Sequence, residues 1–166
     1  DAFQTTATAV HLIDENGELQ PVAGHNPLWG KVAPMPELRD TQEVVVLHVE
    51  DLGEEYAELA AAMREARLRS LTVAPLDSDA GRLGVLVCFF ARHREFDAQD
   101  VDLQRTIGRQ ASQTIVRVRL QRQLARLALY DQLTGVANRP LIQSELEAAI
   151  ARAGESRRSL AVVFLD

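Results

Sequence analysis

Apolar and polar positions alternate from Thr8 to Ile13, the period of a strand with one wet face. Asp14, Glu15, Asn16 and Gly17 follow as a turn, and Glu18 to Ala23 returns as the second arm of a hairpin. The next stretch, HNPLWGKVAPMPELRDTQ, is rich in Pro and Gly and reads as a long loop, with one short helix near Pro36 to Thr41. Val44 to Val49 is a dense β-branched run, expected as a central strand buried on both faces. From Glu54 to Arg69, Tyr56, Leu59, Ala60, Met63 and Ala66 recur at three- and four-residue spacing, which predicts an amphipathic helix. Arg69 to Pro75 and Leu83 to Ala91 are a fourth and fifth strand joined by a turn over Asp77 to Gly81. This order predicts an α+β fold: one antiparallel sheet with helices on its faces.

The pattern then becomes helical for a long way. Asp97 is a good N-cap with Asp100 three residues on, and no proline occurs from Asp97 to Arg139. Leu103, Ile107, Ala111 and Ile115 recur every four residues and are expected to pack on the sheet. Beyond Arg117 the stripe changes to Leu120, Leu124 and Leu127, a short coiled-coil seam flanked by Arg and Gln. A helix from Asp97 to Tyr130 would be roughly 50 Å long at 1.5 Å per residue. Its second half lies beyond the reach of its own domain; a second copy in a parallel homodimer is the simplest cover, and an unpaired linker exposing three leucines is the alternative. Gly135 can take a left-handed backbone and Asn138 can cap the helix that follows, so Asp131 to Arg139 is a hinge between two helices. An apolar strand is expected over Leu160 to Leu165.

Composition narrows the function. The 166 residues are 46% hydrophobic and 25% charged, enough to bury a core, and the net charge of -6 argues against a nucleic-acid groove. The apolar run Leu83 to Ala91 is too short to span a bilayer. The single cysteine, Cys88, lies inside that run, excludes an internal disulfide and fits a reducing cytoplasm. His11, His25, His48 and His93 have no metal-ligand spacing. Trp29, the only tryptophan, sits in the long loop, either as a plug over the core or as a surface on which a ligand stacks. A loop of that length is a candidate binding element or lid.

Two resemblances give these parts a meaning. DQLTGVANR (131–139) resembles the DxLTGLxNR signature that opens GGDEF domains, the diguanylate cyclases that join two GTP into cyclic di-GMP. The likeness runs on through LIQSELEAAI to LAVVFLD, similar to that family's first core strand, with Val136 in place of the usual leucine. It implies that Asp131, Leu133, Thr134, Gly135, Asn138 and Arg139 form a positioning and signalling hinge. It also implies that Asp166 is a ligand for Mg²⁺ on the GTP phosphates in an intact domain. The family's remaining active-site elements fall after Asp166, so the chain by itself is expected to be no enzyme, whereas a longer parent would be a diguanylate cyclase.

Upstream, the order AVHLIDENGELQPVAGH, VAPL, GRLGVLVCFFA, REFDAQDVDLQRTIGRQASQTI resembles a GAF domain over about Thr6 to Arg119. That family normally carries a helix before the first strand, of which only a remnant could exist at Asp1 to Thr5. The expected organisation is a GAF-like sensory domain over 1–119, a coiled-coil signalling linker over 120–130 and a truncated α/β GGDEF start over 131–166. The resemblance implies a sensory and dimerisation module with a small-molecule effector that residues alone do not name. The alternative is a ligand-free dimerisation scaffold attached to a degenerate GGDEF domain or a phosphodiesterase.

Overall fold

The computed structural model describes residues 5–33, 35–156 and 158–163. Its contacts divide the chain into two compact units, Asp1–Val116 and Arg117–Asp166. The first unit holds a sheet built from β1 (Ala7–Ile13), β2 (Leu19–Gly24), β3 (Val45–His48), β4 (Ser70–Ser78) and β5 (Gly81–Phe90). The spatial order is β2-β1-β5-β4-β3, and every pairing is antiparallel. Helix α1 (Pro36–Arg39) lies in the long loop, and α2 (Ala57–Glu65) follows a 3₁₀ turn over Glu54–Tyr56.

Alternation along the inner strands builds two cores. Val85, Val87 and Phe89 of β5 join Leu71 and Val73 of β4 and Leu59 and Met63 of α2 on one face. Leu86, Cys88 and Phe90 join Ala74 and Leu76 on the other, against Phe96, Ala111 and Ile115. Covered on both sides, β5 is apolar nearly throughout. The β-branched run at Val44 to Val49 was expected to be central. It is instead the sheet's edge: β3 pairs only with β4, and its four residues are half-buried. Loop and helix cover its two faces, since Val45 and Leu47 pack on the first core and Val44 on the second.

Helix α2 is shorter than its predicted span. Arg67 turns left-handed (φ 57°), and the Leu68 amide donates to the Met63 carbonyl at 2.8 Å, which closes the helix before β4.

Helix α3 (Ala98–Leu129) begins where Asp97 accepts the Asp100 amide at 2.8 Å, with Arg94 paired to the Asp100 carboxylate at 2.6 Å. The face it lays on the sheet is not the expected one. Gln104, Gly108 and Ser112 are buried, whereas Leu103 and Ile107 are 40% and 39% exposed. Ala111 and Ile115 flank the buried face and do touch the second core. Gly108 sits where the helix approaches the backbone of β4 closely, with little room for a larger side chain.

The second unit takes the end of α3 into α4 (Arg139–Ser156). The strand expected over Leu160 to Leu165 is not formed at Leu160 to Val163, which are exposed and without regular structure; Phe164, Leu165 and Asp166 lie outside the described residues. Among the described residues no helix is long and apolar enough to cross a membrane.

Candidate functional site: a cavity under the long loop, and the joint after α3

The first core is not filled to its edge. A cavity of about 500 Å³ opens between the sheet and the segment from Asn26 to Arg39. Its floor is Leu71, Val73, Val85, Val87 and Phe89, one side is Leu59 of α2, and the rim carries Glu18, Leu19 and Gln20. The walls are mostly hydrocarbon; polar side chains enter at His11, Asn26 and Trp29, and also at Glu18, Gln20 and Arg39.

Local backbone chemistry sets that polar group. The Asn26 side-chain oxygen accepts the Leu28 amide at 2.8 Å, a turn that fixes which end of the amide faces inward. Its Nδ2 then meets His11 Nε2 at 3.1 Å. Because the amide nitrogen can only donate, Nε2 is the accepting nitrogen and the proton of the neutral ring belongs on Nδ1. Burial lowers the His11 pKa and so favours that neutral ring; only 3% of the residue is exposed. Trp29 stacks on the imidazole with centroids 5.3 Å apart and planes at 25°, and it is 49% exposed. It is therefore a half-exposed wall of the cavity.

The guanidinium at the rim is already committed. Arg39 grips Asp40 with two bonds of 2.7 Å and donates a third to the Gly17 carbonyl at 3.1 Å. That pairing holds the Asp40 carboxyl below its usual range and raises the Arg39 pKa. Arg82 buttresses the same corner from β5, donating to the carbonyls of Arg39 and Thr41. Cys88 belongs to the opposite face of the sheet, where burial pushes its thiol pKa up.

No motif along the chain marks His11 or Asn26. One signal was available: β1 alternates, Ala9 and His11 share its buried face, and His11 is the polar member of that pair.

The structure brings together most of the residues expected to form a hinge. Asp131 accepts the Leu133 amide at 3.1 Å, the Thr134 amide at 2.9 Å and the Thr134 hydroxyl at 2.8 Å through one carboxylate oxygen. These bonds, led by the Thr134 amide, lower its pKa. Gly135 takes φ +71° and its amide donates to the Asp131 carbonyl at 2.9 Å. Asn138 does two jobs: its Oδ1 accepts the Leu141 amide at 3.2 Å at the start of α4, and its Nδ2 donates to the Ala128 carbonyl at the end of α3 at 2.7 Å. Arg139 is the exposed first residue of α4, and Leu133 is 93% exposed. Leu120, Leu124 and Leu127 are 54%, 65% and 54% exposed. Asp166 lies outside the described residues; among the described residues no three His, Cys, Asp or Glu side chains converge as metal ligands.

Comparison with known proteins agrees with both halves. Residues 5–116 match the family model described as "GAF domain", and residues 128–166 match "Diguanylate cyclase, GGDEF domain". No curated protein matches the chain. Among solved structures, a domain of a two-component sensor histidine kinase protein from Sinorhizobium meliloti is 21% identical, covering 75% of this chain and 88% of its own, with a TM-score of 0.64. The GAF domain of a Bacillus halodurans two-component sensor histidine kinase is 16% identical, covering 71% and 86%, with a TM-score of 0.56. A phycocyanobilin-bound GAF domain from a cyanobacterial phytochrome is 14% identical, covering 70% and 78%, with a TM-score of 0.55. At these identities the likeness is one of fold. With that family model spanning most of the chain, this protein belongs to the GAF domain family, followed by the opening segment of a GGDEF domain.

Proposed function

We propose that the chain is a sensory and dimerisation module that sets the output of a diguanylate cyclase. The observation that carries this reading is an arrangement across one sheet. The cavity opens on one face, and the other face seats α3, whose C-terminal end leads directly into the DQLTGVANR joint. A ligand held under the Asn26 to Arg39 segment would press on β4 and β5, whose other face carries the core that α3 packs against.

The chemistry served requires two GTP molecules and Mg²⁺ in the intact domain, with one catalytic domain from each of two protomers. Residues Leu120, Leu124 and Leu127 support a parallel homodimer, because an exposed leucine row at coiled-coil spacing loses contact with water when it meets its own copy. A buried, unpaired thiol and a GTP-consuming output both suit a cytoplasmic setting. A cavity of about 500 Å³ weighs against the alternative of a scaffold that binds nothing. A tetrapyrrole joined through a thioether has no anchor here, since Cys88 is on the far face.

The test is cyclic di-GMP synthesis from GTP and Mg²⁺ by the full-length protein, wild type against Leu59→Trp, which fills the cavity from α2. Altered synthesis with unchanged dimerisation supports the reading. Synthesis that ignores the filled cavity overturns it in favour of the scaffold.

A further inference from the structure

The cavity's polar groups restrict what it can hold. This inference rests on the reading of the cavity as a ligand site and concerns the chemistry of the ligand. His11 is held at Nε2 by Asn26 and stacked by Trp29, and among the described residues no protein group bonds its Nδ1. The ring lines the cavity, a space large enough for a guest to accept a hydrogen bond from it. No uncommitted cation accompanies it: the Arg39 guanidinium is spent on Asp40 and Gly17, and Glu18 adds a negative charge at the rim. The floor is hydrocarbon, and the half-exposed Trp29 presents a flat aromatic surface.

We propose that the cavity takes an uncharged, flat, largely apolar molecule carrying a carbonyl-type acceptor, with His11 Nδ1–H as the group that selects the acceptor and Trp29 as the surface that selects flatness. Anionic ligands, phosphates and carboxylates alike, are disfavoured because nothing at the site neutralises them. Neutrality of the imidazole, which burial favours, keeps Nδ1–H a donor while Nε2 stays occupied by Asn26.

Three probes of nearly one shape separate these claims: acetophenone, ethylbenzene and benzoate. Each is titrated into the protein while the indole N–H resonance of Trp29, the sole tryptophan, is followed by NMR. Acetophenone is expected to shift that resonance and to bind about three- to tenfold tighter than ethylbenzene, the worth of one hydrogen bond. Benzoate is expected to bind weakest. In His11→Phe the acetophenone advantage should fall to about one while ethylbenzene still binds. The wild-type ranking stands as a test on its own if that variant folds poorly. Equal binding of acetophenone and ethylbenzene, tightest binding by benzoate, or no shift with any probe overturns the proposal. The sensory reading fails separately: it falls if the ranking holds but cyclic di-GMP synthesis by the full-length protein ignores bound acetophenone.

Discussion

A Cβ placed on Gly108 would stand 3.1 Å from the main-chain oxygen of Pro75, so α3 and β4 meet there backbone to backbone. Gly108→Leu must push the helix off the sheet or distort β4, at a cost of about 1–3 kcal/mol for overpacking. Gly108→Ala should be close to neutral, because about 1 kcal/mol of helix propensity offsets the tight contact. Urea unfolding of both variants checks this, and a Gly108→Leu protein as stable as wild type would refute the close seating.

The His11 ring gives the first unit a pH dependence of known sign. Its folded pKa is lowered by burial, so the unfolded chain, near the ordinary 6.5, takes up the proton first as pH falls. The contribution is whole above that value and is lost as pH falls toward the folded pKa. Unfolding midpoints should therefore drop more between about pH 7.5 and 5.5 in wild type than in His11→Phe. Parallel pH profiles would contradict the assignment.

At the joint, Asn138→Ala removes a helix cap and the bond to Ala128, which should cost about 0.5–2 kcal/mol locally and speed hydrogen exchange at the Leu141 amide. Asp131 is a depressed carboxylate, so its support is present above the ordinary value of 3.8 and is lost as pH falls through the lower folded value. The Thr134 amide resonance should titrate in that acid range and become flat in Asp131→Asn.

Replacing Leu120, Leu124 and Leu127 together by Gln should convert a dimer to a monomer in sedimentation equilibrium while leaving the fold of residues 5–116 intact. The three positions are exposed along α3, so the substitution removes no buried contact within the chain. A wild-type protein that sediments as a monomer at high concentration would dismiss the seam.

The strands were legible because burial alternates along them, and the cap at Asp97 because a carboxylate three residues before an unsatisfied amide is a local signal. Two placements were not. The run at β3 reported that both its faces are covered, and coverage by a loop and a helix looks the same in sequence as coverage inside a sheet. On α3 the larger side chains at Leu103 and Ile107 suggested the docking face, but close approach selects small ones, and Gln104 was carried inside with its amide nitrogen unpartnered. The cavity was harder still. His11 meets Asn26 and Trp29 only after β2 has returned and the loop has crossed back, and no local spacing encodes that meeting.

The bonds that set the joint have a common property: apart from one contact with the Thr134 hydroxyl, they end on main chain. Asp131 binds the amides of Leu133 and Thr134, Gly135 binds the Asp131 carbonyl, and Asn138 binds the Ala128 carbonyl and the Leu141 amide. Main-chain groups are the same in every protein, so the nonapeptide asks nothing of the identity of the helices it connects. It behaves as a transferable coupling, and a different sensor spliced upstream at Leu129 would inherit the same turn into α4.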